Sequence, residues 1–388
     1  MNLDNIIFEL SVIVFGAAAL GTLFLYARQP ILIAYIAFGF AVGPNGFGLI
    51  KNTDHIENIA HLGVILLLFL VGLNLQPRKL LHLFRKTLIL TFGTSITFGC
   101  VSFPVALLLG FEVHSAAVFG AAMMFSSTVV GLKLVPTTTL HHQRTGELMT
   151  GVLLIQDVLA ILVILFVTGD KSGHALWTFI LLTAKFLIVC LLSFAGMRSV
   201  MIPLLKKFDV VQEYTFVATL GWCLLWAEAA HFLGLSYEIG AFIAGLSIAS
   251  CQVALAIAEH LKPLREFFLI LFFFAVGAEL NFRLDLWLIL SAILFGIILV
   301  PLKAAVFNFA FKKCKETPEL SRELAVRLAQ SSEFSLLVVF AALSIGALST
   351  EKAMVIEIIT IVTFIVSTYW TVLHYPTPIS ISASLHRD

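Results

Sequence analysis

The chain has 388 residues, of which 60% are hydrophobic and 12% charged, with a mean hydropathy of +1.03. No soluble core needs so large an apolar share, and the composition therefore describes a polytopic membrane protein. A formal net charge of +1 argues against nucleic acid as a partner, and Cys100, Cys190, Cys223, Cys251 and Cys314 lack the spacing of a zinc site or a disulfide framework.

Thirteen stretches approach the roughly 17–25 residues that a helical span requires. In chain order they are about 6–26, 30–50, 61–76, 87–110, 114–135, 147–168, 175–197, 214–233, 236–255, 264–281, 286–311, 323–346 and 351–373. The first follows Met-Asn-Leu-Asp-Asn, which has no basic region, and it is too long for the apolar part of a signal peptide, so it is read as a span. Breakers such as Pro30, the Gly43-Pro44-Asn45-Gly46 turn and Lys262-Pro263 mark several boundaries. The expected fold class is an all-α polytopic membrane protein.

Basic residues in the connections set the orientation. The side of the N-terminus holds Lys51, Lys171, Arg283 and Lys352, whereas the opposite side holds sixteen, including the Arg78-Lys79, Lys206-Lys207 and Lys312-Lys313 pairs. This imbalance places the N-terminus outside and the C-terminus in the cytoplasm, which an odd number of spans permits.

The chain also repeats itself. Phe69-Leu-Val71-Gly72 in span 3 matches Phe274-Ala-Val276-Gly277 in span 10, and Ser126-Ser127-Thr128 in span 5 matches Ser331-Ser332-Glu333 in span 12, each pair 205 residues apart. Equivalent spans are seven apart, an odd number, so the second copy enters the bilayer in reverse. That arrangement is the inverted-topology repeat of secondary transporters, with repeat 1 over about 6–168, a linker helix over 175–197, repeat 2 over 214–373 and a short cytoplasmic tail over 374–388. The whole of 1–388 is read as one transmembrane domain.

Asp157 is the residue that composition makes most expensive. It lies in the middle of span 6, in Gln156-Asp157-Val-Leu-Ala-Ile-Leu-Val. A charged Asp at the centre of a spanning helix costs about 2.5–3.5 kcal/mol, and chains that keep one use it to carry ions or protons. Inverted repeats place the substrate site at their interface, on helices interrupted near the midplane. Ser126, Ser127 and Thr128 in span 5, and Ser331 and Ser332 in span 12, suit such interruptions: hydroxyls satisfy freed backbone groups or coordinate a dehydrated cation. Small hydroxyl residues also serve close helix packing; as a repeat-related pair they favour a broken-helix crossing. Lys303, in span 11 two residues after Pro301, either snorkels to the interface or faces Asp157 and the crossing helices.

These features together resemble the monovalent cation/proton antiporter-2 family, and within it the Kef-type potassium efflux transporters. The likeness rests on the span pattern, the Gln156-Asp157 pair, the Ser-Ser-Thr of span 5, the Ser332-Glu333-Phe334 of span 12, Lys303, and Gly240-Ala-Phe-Ile-Ala-Gly245 in span 9. The resemblance implies the sodium/proton antiporter fold with crossed broken helices, in a prokaryotic inner membrane, as an elevator-like exchanger that is usually a homodimer. It implies that Asp157 binds a monovalent cation and a proton in turn, beside Gln156, and that no enzyme activity or cofactor is involved. Gln156 in place of a second acid points to potassium rather than sodium and, since glutamine cannot ionise, to electroneutral exchange. A sodium/proton exchanger with the same site is the nearest alternative, and a gated potassium channel is the alternative of another class, although no TVGYG filter signature occurs.

Two features depart from the Kef pattern. The connection before span 10 reads Val253-Ala-Leu-Ala-Ile-Ala-Glu259-His260 rather than an acidic regulatory sequence, and Asp388 comes before any soluble nucleotide-binding domain. Either the sequence is part of a longer chain or this member works without that domain, with a separate regulatory subunit as a further option. Among the remaining polar residues, Glu333 is expected to attract ions or to pair with Arg327. Glu279 is expected near an outer helix end, and Glu228 and His231 as a polar pair on one helical face. His141-His142 is expected as an exposed cytoplasmic loop.

Overall fold

The computed structural model describes residues 3–27, 29, 31–50, 54–74, 77–136, 144–169, 175–208, 212–249, 251, 254–280 and 285–377, and its elements are helices. Helices α1 (Leu3–Tyr26), α2 (Ile31–Val42), α3 (Asp54–Asn74) and α4 (Pro77–Leu108) come first. Two short helices, α5 (Val113–Ala122) and α6 (Thr128–Lys133), precede α7 (Arg144–Gly169). Helix α8 (Ala175–Gly196) runs through a π turn at Met197–Met201 into α9 (Ile202–Phe208), so the expected linker span continues past 197. The second half comprises α10 (Gln212–Phe232), α11 (Tyr237–Ile248), α12 (Ala254–Glu279), α13 (Leu286–Lys313), α14 (Pro318–Arg327), α15 (Glu333–Ser344) and α16 (Thr350–His374).

Six stretches among the described residues, within α1, α4, α7, α8–α9, α13 and α16, are long and apolar enough to cross a membrane. Shorter apolar helices lie between them, because backbone in lipid is satisfied only as helix unless protein covers it. Helix ends recur in register: α3 ends at Asn74 and α12 at Glu279, α5 ends at Ala122 and α14 at Arg327, and α6 begins at Thr128 and α15 at Glu333. Each of these pairs is 205 residues apart, the offset of the sequence repeat.

The helices pack as two bundles. Helices α1–α3 pack with α10–α12, and α4–α7 pack with α13–α16, while α8 touches both α7 and α11. The first bundle depends on reciprocal glycine contacts. A Cβ on Gly245 of α11 would collide with the Phe69 carbonyl of α3, and a Cβ on Gly72 would collide with the Phe242 carbonyl. The repeat-related pair α2 and α12 meets in the same way, through Gly39 against Phe274 and Gly277 against Ile36. The repeated Phe-x-Val-Gly sequence is therefore a packing motif: the glycine lets the partner backbone approach.

Glu228 and His231 do not form a buried pair. Both are exposed on α10, and the His231 ring stacks on Tyr237 with centroids 4.1 Å apart. His141-His142 lies outside the described residues.

Overfilling the α3–α11 contact is expected to destabilise the protein. Gly245→Leu must push two backbones apart, at a cost of about 1–3 kcal/mol or more. Gly221→Leu meets open space and should be neutral. Thermal unfolding of the detergent-purified proteins, followed by intrinsic fluorescence, checks this contrast; equal midpoints would refute the packing account.

Candidate functional site

Residues 123–127 separate α5 from α6, and residues 328–332 separate α14 from α15, so expected spans 5 and 12 are each two short helices around a break. The serines explain where each second helix starts. Ser127 is the N-cap of α6 and its Oγ accepts from the Val130 N–H at 3.0 Å. Ser332 caps α15, accepting from the Phe334 N–H at 3.1 Å, while the Ser332 N–H donates to Ser335 Oγ at 3.3 Å. Such caps satisfy amides that a continuous helix would have paired internally.

The two breaks are tied to each other. Ser126 Oγ donates to the Leu328 carbonyl at 2.7 Å, Gln330 Nε2 donates to the Ser127 carbonyl at 3.3 Å, and Ser335 Oγ donates to the Ala122 carbonyl. Lys303 sits where they cross. Its Nζ donates to the carbonyls of Phe125 at 2.6 Å, Gln330 at 3.1 Å and Met123 at 3.4 Å, and lies 5.0 Å from the Phe98 ring centroid. It is fully buried, so it faces the crossing helices and does not snorkel. An ammonium has three N–H donors, and here each finds a carbonyl at or just past the end of a helix, where the helix dipole favours positive charge.

The carboxylates lie toward the other helix ends. Asp157 is 2% exposed, and Thr128 Oγ1, at the first residue of α6, donates to its Oδ1 at 3.1 Å. Next to it, Gln156 Oε1 accepts from the Ser126 N–H at 3.0 Å, and Gln156 Nε2 donates to Ser95 Oγ at 3.5 Å. Glu333, buried in the first turn of α15, accepts from Ser127 Oγ at 2.6 Å and from Ser332 Oγ at 3.5 Å.

Scaffold and charge part company between the halves. The Ser331 N–H donates to Thr363 Oγ1 of α16 at 3.0 Å, as the Ser126 N–H does to Gln156 of α7. A short hydroxyl thus replaces the amide in the second half, and Thr128 is matched by Glu333. Of the expected site residues, six meet at the first break as three hydrogen-bonded pairs: Ser126 with Gln156, Thr128 with Asp157, and Ser127 with Glu333. Ser331 Oγ instead points at Met123 Sδ, 3.9 Å away, and Ser332 bonds within its own helix start. Arg327 does not pair with Glu333. Its guanidinium binds Glu323 at 2.9 Å and the carbonyls of Leu134 and Pro376 at 2.9 and 2.8 Å, because its place in the last turn of α14 turns it away from the start of α15.

Sequence reasoning passed over Ser95, Thr363 and Ser367, the last of which donates to Gln330 Oε1 at 3.0 Å. Their only signal is a hydroxyl on the buried face of an apolar span, which also marks ordinary packing.

A cleft of about 780 Å³ opens between the two bundles, lined in part by His61, Ile164, His231, Glu238 and Leu337. Ile164 follows Asp157 by two turns and Leu337 follows Glu333 by about one, so the cleft runs along the helix faces that carry both carboxylates.

Crossed, interrupted helices with a carboxylate at the crossing define a secondary transporter of the sodium/proton antiporter fold. The fold of the sodium proton antiporter MjNhaP1 from Methanocaldococcus jannaschii matches with a TM-score of 0.69 at 16% identity, covering 95% of this chain and 99% of that one. The protein belongs to the sodium/hydrogen exchanger, transmembrane family, whose profile matches residues 11–373. It is a membrane-spanning cation/proton antiporter and not an enzyme. It is similar to the K(+) efflux antiporter 6 of Arabidopsis thaliana, 30% identical over 351 residues that make up 86% of this chain. The chain spans 58% of the length of that plant relative. It is also similar to the iron transporter MagA of Paramagnetospirillum magneticum, 26% identical over 93% of this chain and 83% of that one.

Replacing Lys303 with Met leaves the carbonyls of Phe125, Gln330 and Met123 without their donor. Each buried unsatisfied group costs about 1–3 kcal/mol, so Lys303→Met should lower the thermal unfolding midpoint markedly. A midpoint equal to that of the wild type would show that the ammonium does not hold the crossing.

Proposed function

We propose that the protein exchanges a monovalent cation, potassium in preference to sodium, for protons, and that Asp157 carries the two in turn. The observation that carries this reading is the Asp157 carboxylate, 2% exposed, beside the neutral amide of Gln156 at the crossing of two broken helices, with the other buried carboxylate there, Glu333, taken up by the serine hydroxyls of Ser127 and Ser332. A bare charge there is costly, so the carboxylate is filled either by a proton or by a cation. Occupation by one excludes the other, and that competition couples the two fluxes.

Thr128, Ser126 and Ser127, with carbonyls freed at the breaks, supply hard oxygen ligands for a dehydrated cation, and Ser331 and Ser332 shape the second break. Lys303 and Glu333 support the charge balance. Because Gln156 cannot ionise, one proton moves per cation and exchange is electroneutral. Potassium is favoured by the similarity to plant K(+) efflux antiporters; sodium is the second reading, favoured by the fold match to a sodium proton antiporter. The iron of MagA is a poorer fit, since carboxylates with neutral oxygens lack the nitrogen or sulfur donors that iron sites commonly use.

In this reading the bundle α4–α7 with α13–α16 moves as an elevator against the other, exposing Asp157 to each side. The inverted repeats are 6–168 and 214–373, joined by 175–197. The protein is a homodimer in a prokaryotic inner membrane, with its N-terminus outside.

Proteoliposomes containing a pH dye test the proposal. An imposed potassium gradient should drive saturable proton movement that is unchanged when voltage is clamped at different values, and sodium should be less effective. Asp157→Asn should abolish it. Proton movement in Asp157→Asn, or a rate that follows voltage, would contradict the proposal.

A further inference from the structure

A second cleft, of about 540 Å³, lies between α4 and α13, lined in part by Leu90, Gly93, Thr97, Phe309 and Lys313. We propose that it holds one acyl chain of an anionic phospholipid, with the phosphate at Lys313.

Three observations commit the cleft to that occupant. Its α4 wall runs from Thr87 to Thr97, about 15 Å along the helix, which is half of a hydrocarbon core of about 30 Å. The groove is therefore as deep as one leaflet. It is open by design of the sequence: a Cβ at Gly93 would meet nothing within 4 Å, whereas exposed Ile89 and Phe309 form its rims. The repeat-equivalent positions in α13 are larger. Leu90, Gly93 and Thr97 correspond to Phe295, Ile298 and Leu302, each 205 residues on, so bulk is withheld in one half only.

The polar end of the groove selects the headgroup. Lys313, in the last turn of α13, is exposed, with its Nζ 5.5 Å from the Phe309 ring centroid. Glu316 lines the same mouth, and its carboxylate is bonded to Arg144 at 2.9 Å. Lys312, in the same turn, does not line the groove, so headgroup selection falls to Lys313. The chain would lie against Leu148 of α7, the helix that carries Gln156 and Asp157, so an occupied groove buttresses the site from behind.

The test reads lipid, not transport, and so stands apart from the proposed exchange. The full chain is reconstituted in equal phosphatidylglycerol and phosphatidylcholine, re-extracted with detergent and washed, and the retained lipids are quantified by mass spectrometry. One lysine near an anionic headgroup gives roughly fivefold enrichment of phosphatidylglycerol. Lys313→Gln should bring the two lipids to equal retention, and Gly93→Leu should remove most of both. Both substitutions fall at open or exposed positions, and each variant's unfolding midpoint is measured alongside. Equal retention of the two lipids by the wild type, or wild-type retention in either variant, overturns the assignment.

Discussion

Breaking a helix inside a bilayer frees backbone N–H and carbonyl groups that have no water to turn to. This protein breaks two, at 123–127 and 328–332, and nearly every polar contact in its centre follows from satisfying what those breaks release. The amides go to serine caps and to Gln156 and Thr363; the carbonyls go to Ser126, Ser335, Gln330 and above all Lys303. A positive group at the helix C-terminal ends and acidic groups toward the N-terminal ends make the crossing electrostatically consistent as well as hydrogen-bonded.

The repeated scaffold and the unrepeated charge divide the work. Caps, breaks and close glycine contacts recur at the same offset because both halves solve the same backbone problem. Asp157 does not recur, since the matching region of α16 offers Thr363. A structure built twice thus places its carboxylates unequally, Asp157 in the first half against an uncharged match and Glu333 in the second against Thr128, and the Thr128 hydroxyl hydrogen-bonds Asp157.

Much of this was legible in the residues. Apolar runs pointed to the long membrane-length helices, the 205-residue repeat pointed to helix ends that recur at that offset, and the Ser-Ser-Thr and Ser-Ser-Glu clusters pointed to the breaks, because as a repeat-related pair they favoured interrupted helices over simple packing. Lys303 was conspicuous, but its partners are carbonyls, which carry no sequence signal. Ser95 and Thr363 were invisible for a similar reason, being single hydroxyls whose importance comes from what the fold places opposite them. Arg327 shows the opposite error: closeness in sequence to Glu333 pointed to a pair, while the break between them sends the two side chains to different partners.

Coupled exchange requires mutually exclusive occupancy of Asp157. Calorimetric titration of potassium into the purified protein, repeated in buffers of different ionisation enthalpy at a pH where the carboxyl is largely protonated, counts the protons released on binding. The account predicts close to one proton per cation bound. Binding that releases none, or that persists unchanged as the pH is lowered, would contradict it.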